Sequence, residues 1–288
     1  PIVSYGADTL PLILFTALTL IAFAANSLIN RGALIHELIG PGEFATLRVI
    51  FGGMTLFFLL VWRNKHIPKP QPIQIKGAVG LATYMIGFSY AYMSLNAGLG
   101  ALILFGTVQV VMFVAAAFSG ERLSIHRWFG SIVALVGLFI LFWPDKNINL
   151  PLDSLGLMLL AGWGWAVYSL EGRKVIDPLL TTTWNFIYVF PVTLLVLLIT
   201  VDGLVVTVHG VFLAFISGAV MSGLGYVLWY WVLPQLDVTI GALSQLLVPV
   251  IALVLGSIFL QEIITQRAAI AAILIVGGVA VGSAYKRQ

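Results

Sequence analysis

The sequence predicts an all-α membrane protein with ten transmembrane helices, arranged as two inverted five-helix repeats around a central cavity. Three observations support this fold: the composition, a series of continuous apolar segments, and a repeat between the two halves. Of 288 residues, 60% are hydrophobic and only 9% are charged, with a mean hydropathy of +1.07. A soluble domain is about 45–50% apolar and about 25% charged. The composition therefore excludes an ordinary soluble enzyme, a nucleic-acid-binding protein and a disordered chain.

Ten continuous apolar segments are each long enough to cross a bilayer as a helix, which takes roughly 20 residues. In chain order they run from Leu10 to Asn30, Phe44 to Trp62, Ile73 to Leu95, Leu99 to Ser119, Ile125 to Trp143, Ser154 to Leu170, Thr182 to Val201, Val211 to Leu233, Val238 to Leu260 and Ala268 to Tyr285. Continuous apolar segments favour helices over the strands of a membrane β-barrel, which alternate in polarity. The separators carry helix breakers, including three prolines between Arg63 and Pro72.

The lysines and arginines predict the orientation of these helices. With the N-terminus in the cytoplasm, ten of the 14 basic residues fall on the cytoplasmic side and three on the outer side. The ten are Arg63, Lys65, Lys69, Lys76, Arg122, Arg127, Arg173, Lys174, Lys286 and Arg287. Cytoplasmic loops of membrane proteins are enriched in Lys and Arg. We therefore expect a multi-pass protein with both termini in the cytoplasm.

The two halves of the chain repeat in sequence. An offset of 141 residues matches Gly100-Ala101-Leu102 with Gly241-Ala242-Leu243 and Glu121 with Glu262, and an offset of 142 matches Ser27, Leu28 and Arg31 with Ser169, Leu170 and Arg173. Each half holds five segments, and because five is odd, the second half enters the membrane from the opposite side. Inverted repeats with a site near the midplane are a transporter architecture. We expect one transport domain over residues 1–288, with repeats at 10–143 and 154–285.

The fourth segment of each half ends in a similar pattern, Phe118-Ser119-Gly120-Glu121 and Phe259-Leu260-Gln261-Glu262, before a glycine-containing last segment. In this arrangement the chain resembles the drug/metabolite transporter superfamily over residues 10–285, and within it the EamA-type ten-helix permeases. Its aromatic-rich interior is similar to that of the YddG type of aromatic and hydrophobic amino-acid exporter. The resemblance implies a bacterial inner-membrane exporter of neutral amino acids or related metabolites, working by alternating access.

Few ionisable residues lie within the apolar segments, where such residues are expensive and usually functional. Arg48 is the single cation well within a segment, and no Asp or Glu lies in the middle of one. Arg48 either pairs with Glu43 or reaches a helix end, or it contacts a substrate carboxylate. The lack of central carboxylates argues against a cation substrate, and the single arginine argues against a phosphate substrate. Charge balance favours a neutral or zwitterionic substrate with an apolar side chain.

Aromatic and amide side chains are the candidate substrate contacts. Tyr84, Phe88 and Tyr92 recur every four residues on one face of the third segment, and an offset of 138 places the last two on Tyr226 and Tyr230. The full set is Asn26, Tyr84, Phe88, Tyr92, Gln109, Trp163, Tyr168, Tyr226, Tyr230 and Gln245. Rings and a few polar groups form the mostly apolar kind of pocket that binds small ligands. Packing of rings and hydrogen bonding between helices remain the alternative roles for these residues.

Other functions have weaker support in the sequence. It holds no cysteine and no catalytic motif, so we expect no catalytic residue, metal or cofactor, and no nucleic-acid partner. The expected partners are a small-molecule substrate and membrane lipids. A broad-specificity drug or metabolite efflux permease is the main alternative. An intramembrane enzyme or a scaffold would need a reactive pair of residues or a polar lipid-facing surface, and the sequence shows neither. Pro249 and Gly106 are predicted bend points.

Overall fold

The computed structural model describes residues 9–119, 125–142, 151–200 and 203–283. Within these ranges, the chain is mostly helical, and β-pairing is limited to an isolated antiparallel bridge between Ile39 and Val206. This confirms the predicted all-α fold. Glu121 of the sequence repeat and the predicted segment ends at Trp143, Val201 and Tyr285 lie outside the described residues.

Ten helices, α1 to α10, correspond one for one to the ten predicted segments. The first half contains α1 (Thr9–Ile35), α2 (Pro41–Asn64), α3 (Ile75–Ala91), α4 (Ala97–Phe118) and α5 (Ile125–Phe142). The second half contains α6 (Leu152–Gly172), α7 (Pro178–Thr200), α8 (Val208–Gln235), α9 (Val238–Phe259) and α10 (Gln266–Ser283). Six of them, α1, α2, α4, α7, α8 and α9, are long and apolar enough to cross a membrane, and α5 and α10 contain shorter apolar stretches.

Local sequence explains where several helices begin and end. Pro41 is the first residue of α2. Proline has no N–H, but at this position the N–H would have no acceptor within the helix, so no helical hydrogen bond is lost. Lys65 ends α2 in the left-handed conformation, with a φ of 61°, and its N–H donates to Val61. The Thr207 hydroxyl caps α8 by accepting the Gly210 N–H at 3.0 Å.

Two helices of the second half, α8 and α9, are irregular. Residues Ile216–Leu224 of α8 form a π-helix, and Leu233–Gln235 end the same helix in a 3₁₀ turn. Helix α9 is interrupted at Leu246, because Pro249 has no N–H to donate to the carbonyl of Gln245. The predicted bend at Pro249 is thus confirmed. At Gly106, the other predicted bend point, α4 continues as an unbroken helix.

The pairing of helices shows the two-fold relation between the halves. Helices α2, α4 and α5 each pack against their own counterparts α7, α9 and α10. The contact between α3 and α6 is matched by the one between α8 and α1, and the contact of α4 with α6 is matched by that of α9 with α1. The pairing therefore stays the same when the two halves are exchanged. With five helices in each half, the halves run in opposite directions, as the sequence predicts.

Glycines allow the backbones of α5 and α10 to touch at symmetric positions. A Cβ on Gly130 would collide with the carbonyl oxygen of Gly278, and a Cβ on Gly137 would lie 2.9 Å from the carbonyl oxygen of Ala271. The offset of 141 residues that relates the halves converts one contact into the other. Small residues let membrane helices approach this closely.

A second close contact joins α3 to α6. A Cβ on Gly80 would lie 2.7 Å from the carbonyl oxygen of Gly164, and a Cβ on Gly164 would lie 2.6 Å from the carbonyl oxygen of Gly80. The atoms in contact belong to the backbone, which cannot move aside as the end of a flexible side chain could. These two glycines therefore set the distance between α3 and α6, the helices that carry much of the site described below.

We expect Gly164→Ala to destabilise the protein by about 1–3 kcal/mol, because the added methyl group overpacks the contact between α3 and α6. The measurement is the thermal unfolding of the purified protein in detergent. Gly156→Ala is the matched control on the same helix, since a Cβ there meets nothing within 4 Å. Equal melting temperatures for the two variants would contradict the close contact.

Candidate functional site between the two halves

Six aromatic side chains form a continuous column through the centre of the helix bundle. In order along this aromatic column they are Tyr92, Phe88, Tyr84, Tyr226, Tyr168 and Tyr230, with successive ring centroids 4.7, 5.1, 6.3, 6.1 and 4.6 Å apart. Helices α3, α8 and α6 supply them, and each ring is at most 5% exposed. The structure thus brings together all six of the tyrosine and phenylalanine positions chosen from the sequence and packs them against one another.

Phe23 and Trp165 pack edge to face at the middle of the column, with centroids 5.0 Å apart. The offset of 142 residues that relates Arg31 to Arg173 also relates Phe23 to Trp165, so this contact joins equivalent positions of the two halves. Both rings also touch Tyr226, at 5.9 and 4.8 Å. The pseudo-two-fold axis therefore passes between Phe23 and Trp165.

Arg48 of α2 reaches the same centre and is fully buried. Its Nε donates to the Ser222 hydroxyl at 2.8 Å, and its Nη2 donates to the hydroxyls of Tyr84 and Tyr226 at 2.9 and 2.7 Å. The guanidinium carbon lies 5.0 Å from the ring centroid of Phe88. The remaining nitrogen, Nη1, has no hydrogen-bond partner among the residues that the structure describes.

The structure rules out Glu43 as the partner of Arg48. The Glu43 carboxylate, in the first turn of α2, instead accepts the backbone N–H of Val205 at 3.3 Å. Across the described ranges, every acidic residue lies at a helix end or in a loop: Glu37, Glu43, Asp153, Glu171, Asp177, Asp237 and Glu262. Arg48 is consequently a buried cation whose described partners are all neutral, and the expectation that it pairs with Glu43 or reaches a helix end is wrong.

Asn26 is linked to Arg48 through the π-helical part of α8. Its Oδ1 accepts from the Ser217 hydroxyl at 2.6 Å, and its Nδ2 donates to the Ser222 hydroxyl at 3.1 Å. Hydrogen bonds in a π-helix join residues five apart, so Ser217 and Ser222 face the same direction. In an α-helix with roughly 3.6 residues per turn, they would not. The π-helix thus lets both serines reach Asn26 and lets Ser222 also reach Arg48.

Of the other predicted contacts, Gln245 reaches the centre and two residues do not. The Gln245 Oε1 accepts from Trp165 Nε1 at 2.7 Å. The Gln109 Nε2 donates to the Ser131 hydroxyl at 3.2 Å, and this hydrogen bond joins α4 to α5. The placement of Trp163 in the cavity is wrong: its side chain is 43% exposed. At roughly 3.6 residues per turn, side chains two positions apart point to nearly opposite sides, and Trp165 is the one that faces inward.

Sequence reasoning missed several residues of this centre. It gave two alternative roles for Arg48 without deciding between them. The predicted contacts did not include Trp165, Phe23, Ser217 or Ser222. The repeat contained part of the missing signal, because the offset of 142 relates Phe23 to Trp165, and the offset of 138 relates Tyr84 to Ser222. No sequence signal indicated the π-helix that positions the serines.

Arginines also bind the backbone at both ends of the aromatic column. Near Tyr92, the Nη1 of Arg31 donates to the carbonyls of Tyr92 and Met93, both at 2.9 Å, and its Nε lies 3.9 Å from the carboxylate of Glu262. That carboxylate also accepts the N–H of Ala97. Near Tyr230, the equivalent Arg173 donates to the Leu233 carbonyl at 3.0 Å. The column is thus closed by matched contacts at its two ends.

An ion pair joins the two halves at the Arg173 end of the bundle. Arg63, in the last turn of α2, donates to both carboxylate oxygens of Asp177 at 3.0 and 2.5 Å. Partial burial by itself would raise the pKa of Asp177, but hydrogen bonds from Arg63 and from the Leu180 N–H outweigh it and hold the pKa below its usual value. The carboxylate therefore stays ionised at neutral pH.

The model of the EamA-like transporter family matches this chain twice, over residues 10–143 and again over residues 154–283. The chain belongs to the EamA-like transporter family. It is therefore a multi-pass membrane transporter, and membership implies a small-molecule substrate and contact with membrane lipids. The two matches coincide with the two five-helix halves.

Relatives of this EamA-like transporter span most of its length. An uncharacterized protein of Pseudomonas aeruginosa is 40% identical over 268 residues, 93% of each chain. A probable amino-acid metabolite efflux pump of Escherichia coli is 24% identical, over 72% of this chain and 75% of the relative. A probable terminal-alkyne amino-acid exporter of Streptantibioticus cattleyicolor is 25% identical, over 72% of this chain and 71% of the relative. The last two are named as transporters, not as enzymes.

A solved crystal structure has the same fold as this EamA-like transporter. The two superpose with a TM-score of 0.75 over 96% of this chain and 99% of that chain, at 18% sequence identity. At this identity, the likeness establishes the fold alone.

We expect the double substitution Tyr84→Phe with Tyr226→Phe to destabilise the transporter by about 1–3 kcal/mol. Both described acceptors of Arg48 Nη2 are then lost, and a buried charged donor is left without a partner. Thermal unfolding in detergent is the measurement. Tyr188→Phe is the control, because that hydroxyl bonds the Gln71 carbonyl at the exposed surface. A double variant as stable as the control would show that the two hydroxyls contribute nothing.

Proposed function

We propose that this EamA-like transporter exports neutral amino acids with aromatic or other apolar side chains, or related small metabolites, by alternating access. The observation that supports this is the buried aromatic column with the Arg48 guanidinium in its middle. Ring faces suit an apolar side chain, and an arginine N–H suits a carboxylate. The names of the Escherichia coli and Streptantibioticus cattleyicolor relatives agree with this substrate class, and so does the resemblance to the YddG type.

In this proposal, the predicted residues have distinct roles. The six rings of the aromatic column hold the substrate side chain, while Asn26 and Gln245 orient its polar groups. The whole chain, residues 1–288, acts as one transport domain with repeats at 10–143 and 154–285. The halves separate alternately at one end of the bundle or the other. Opening one end breaks the ion pair of Arg31 with Glu262, and opening the other end breaks that of Arg63 with Asp177.

The alternative is a broad-specificity drug or metabolite efflux permease. A column of ring faces would bind many lipophilic molecules, which favours this alternative in part. Arg48 opposes it for the many drugs that are cations, because a like charge beside the buried guanidinium is repelled. Competition between labelled phenylalanine and a lipophilic cation separates the two functions.

We expect proteoliposomes containing the full chain to transport labelled phenylalanine, tryptophan or leucine faster than empty vesicles. Trp165→Ala should lower this flux at least tenfold, since the ring packs against Tyr84, Tyr226 and Phe23. Trp163→Ala, two residues away on the outer surface, is the matched control and should leave the flux unchanged. Absence of flux for all three amino acids, with the lipophilic cation transported instead, would favour the alternative function.

We also propose an inner-membrane location with both termini in the cytoplasm, on the basis of the Lys and Arg distribution. The chain has no cysteine, so single-cysteine variants can be labelled without a background reaction. In spheroplasts, we expect Ser94→Cys, between α3 and α4, to react with a membrane-impermeant maleimide. Lys69→Cys, between α2 and α3, should react only after permeabilisation. The reverse pattern would show the opposite orientation.

A further inference from the structure

We propose that the ligand group recognised in the column is a carboxylate held by Arg48, and that the preferred substrates are monoanions: carboxylates with an apolar body and no ammonium group. This inference rests on the proposed function, because it takes the aromatic column as the substrate site. Within that function, it favours the related small metabolites, as apolar carboxylate anions, over the neutral amino acids. It stands on the hydrogen bonds and charges around Arg48.

The first argument is the uncompensated charge of Arg48. Removing a cation from water is costly unless an opposite charge accompanies it. In the part of the chain that the structure describes, Arg48 has three hydroxyl partners and no carboxylate. Its Nη1 is buried, and no described residue accepts a hydrogen bond from it. A bound carboxylate would supply both the missing acceptor and the missing charge.

The second argument is the chemistry of the neighbouring hydroxyls. Guanidinium binds carboxylate through two parallel N–H groups, and Nη1 is unused while Nη2 bonds two tyrosine hydroxyls. Tyrosine hydroxyls both accept and donate. In this structure the Tyr226 hydroxyl donates to that of Tyr84 at 3.2 Å. The Tyr84 hydroxyl can therefore donate to a carboxylate oxygen, and the Tyr226 hydroxyl can do so once it gives up this bond. The same three side chains that satisfy Arg48 in this structure would then surround an anion.

The third argument concerns the ammonium group of an amino acid. An ammonium needs acceptors. Three side-chain oxygens at the centre already accept hydrogen bonds, whereas the Tyr168 hydroxyl has no partner among the described residues. Asn26 Oδ1 accepts from Ser217, Ser222 Oγ accepts from both Arg48 and Asn26, and Gln245 Oε1 accepts from Trp165. The acidic residues of the described ranges lie at helix ends, away from this centre. An ammonium group would add a second positive charge without a counter-charge, whereas a monoanion leaves the site neutral.

The test compares four ligands that share one phenyl ring. L-phenylalanine carries both charged groups, 3-phenylpropanoate lacks the ammonium group, 2-phenylethylamine lacks the carboxylate, and 2-phenylethanesulfonate is an anion that does not protonate. Binding to the purified full chain in detergent at pH 7 is measured by calorimetry. We expect 3-phenylpropanoate to bind at least tenfold more tightly than L-phenylalanine, the sulfonate to bind measurably, and 2-phenylethylamine not to bind.

Variants of Arg48 separate ligand binding from a role that is only structural. Arg48→Gln should weaken 3-phenylpropanoate binding at least 100-fold, and Arg48→Lys, which keeps the charge, should recover part of the loss. Lys76→Gln, an exposed basic residue at the start of α3, is the charge-matched control and should bind as the unmodified protein does. If Arg48→Gln does not fold, the four-ligand series on the unmodified chain still decides the question.

The possible outcomes distinguish this inference from the proposed function. Tighter binding of L-phenylalanine than of 3-phenylpropanoate, or binding of 2-phenylethylamine, overturns the inference and leaves amino-acid export standing. Unchanged anion binding in a folded Arg48→Gln variant also overturns it. Binding of the anions without binding of L-phenylalanine supports the inference and restricts the proposed function to its metabolite branch. Binding of none of the four, together with no amino-acid flux, overturns both.

Discussion

The hydrogen bonds of the buried Arg48 guanidinium hold the centre of this transporter together. Arg48 and Tyr84 belong to the first half, while Ser222 and Tyr226 belong to the second. Because the cation has no carboxylate partner in the described ranges, it depends on hydroxyls that the opposite half supplies. Separation of the halves would remove those acceptors and leave the charge exposed. In the proposed transport cycle, the ligand would replace the acceptors that the opposite half withdraws.

This charge also breaks the symmetry of the site. Four rings of the column follow the two-fold relation, since Phe88 and Tyr92 correspond to Tyr226 and Tyr230, whereas Tyr84 corresponds to Ser222. Arg48 does not follow it, because α7, the counterpart of α2, contains no lysine or arginine. A partly symmetric aromatic column with one cation at its middle has one polar position and an otherwise largely apolar lining. That polarity would orient a ligand that has one charged group and one apolar body.

Packing between the helices determines where such a site can exist. At Gly80 and Gly164, the backbones of α3 and α6 touch, and at Gly130 and Gly278, those of α5 and α10 do. Where the interface residues are glycines, the helices meet directly and leave no space between them. Where they are rings, as along the column, side chains lie between the helices. Small and large residues thus divide the interior into direct backbone contacts and a layer of packed rings.

The sequence by itself determined the ten helices, the inverted repeat and the aromatic stripe on α3 with its copy on α8. These features depend on the length of apolar segments, on the number of segments in each half and on spacing along one helix, all of which are local. Only the tertiary structure decided that Trp165 and not Trp163 faces the column, that Gln109 bonds α5, and that a π-helix brings Ser217 and Ser222 to Asn26. The physical reason is that a membrane helix apolar on all sides has little periodicity to show which face turns inward. Its rotation is set by neighbours far away in the chain, as is the choice of hydroxyls that surround Arg48.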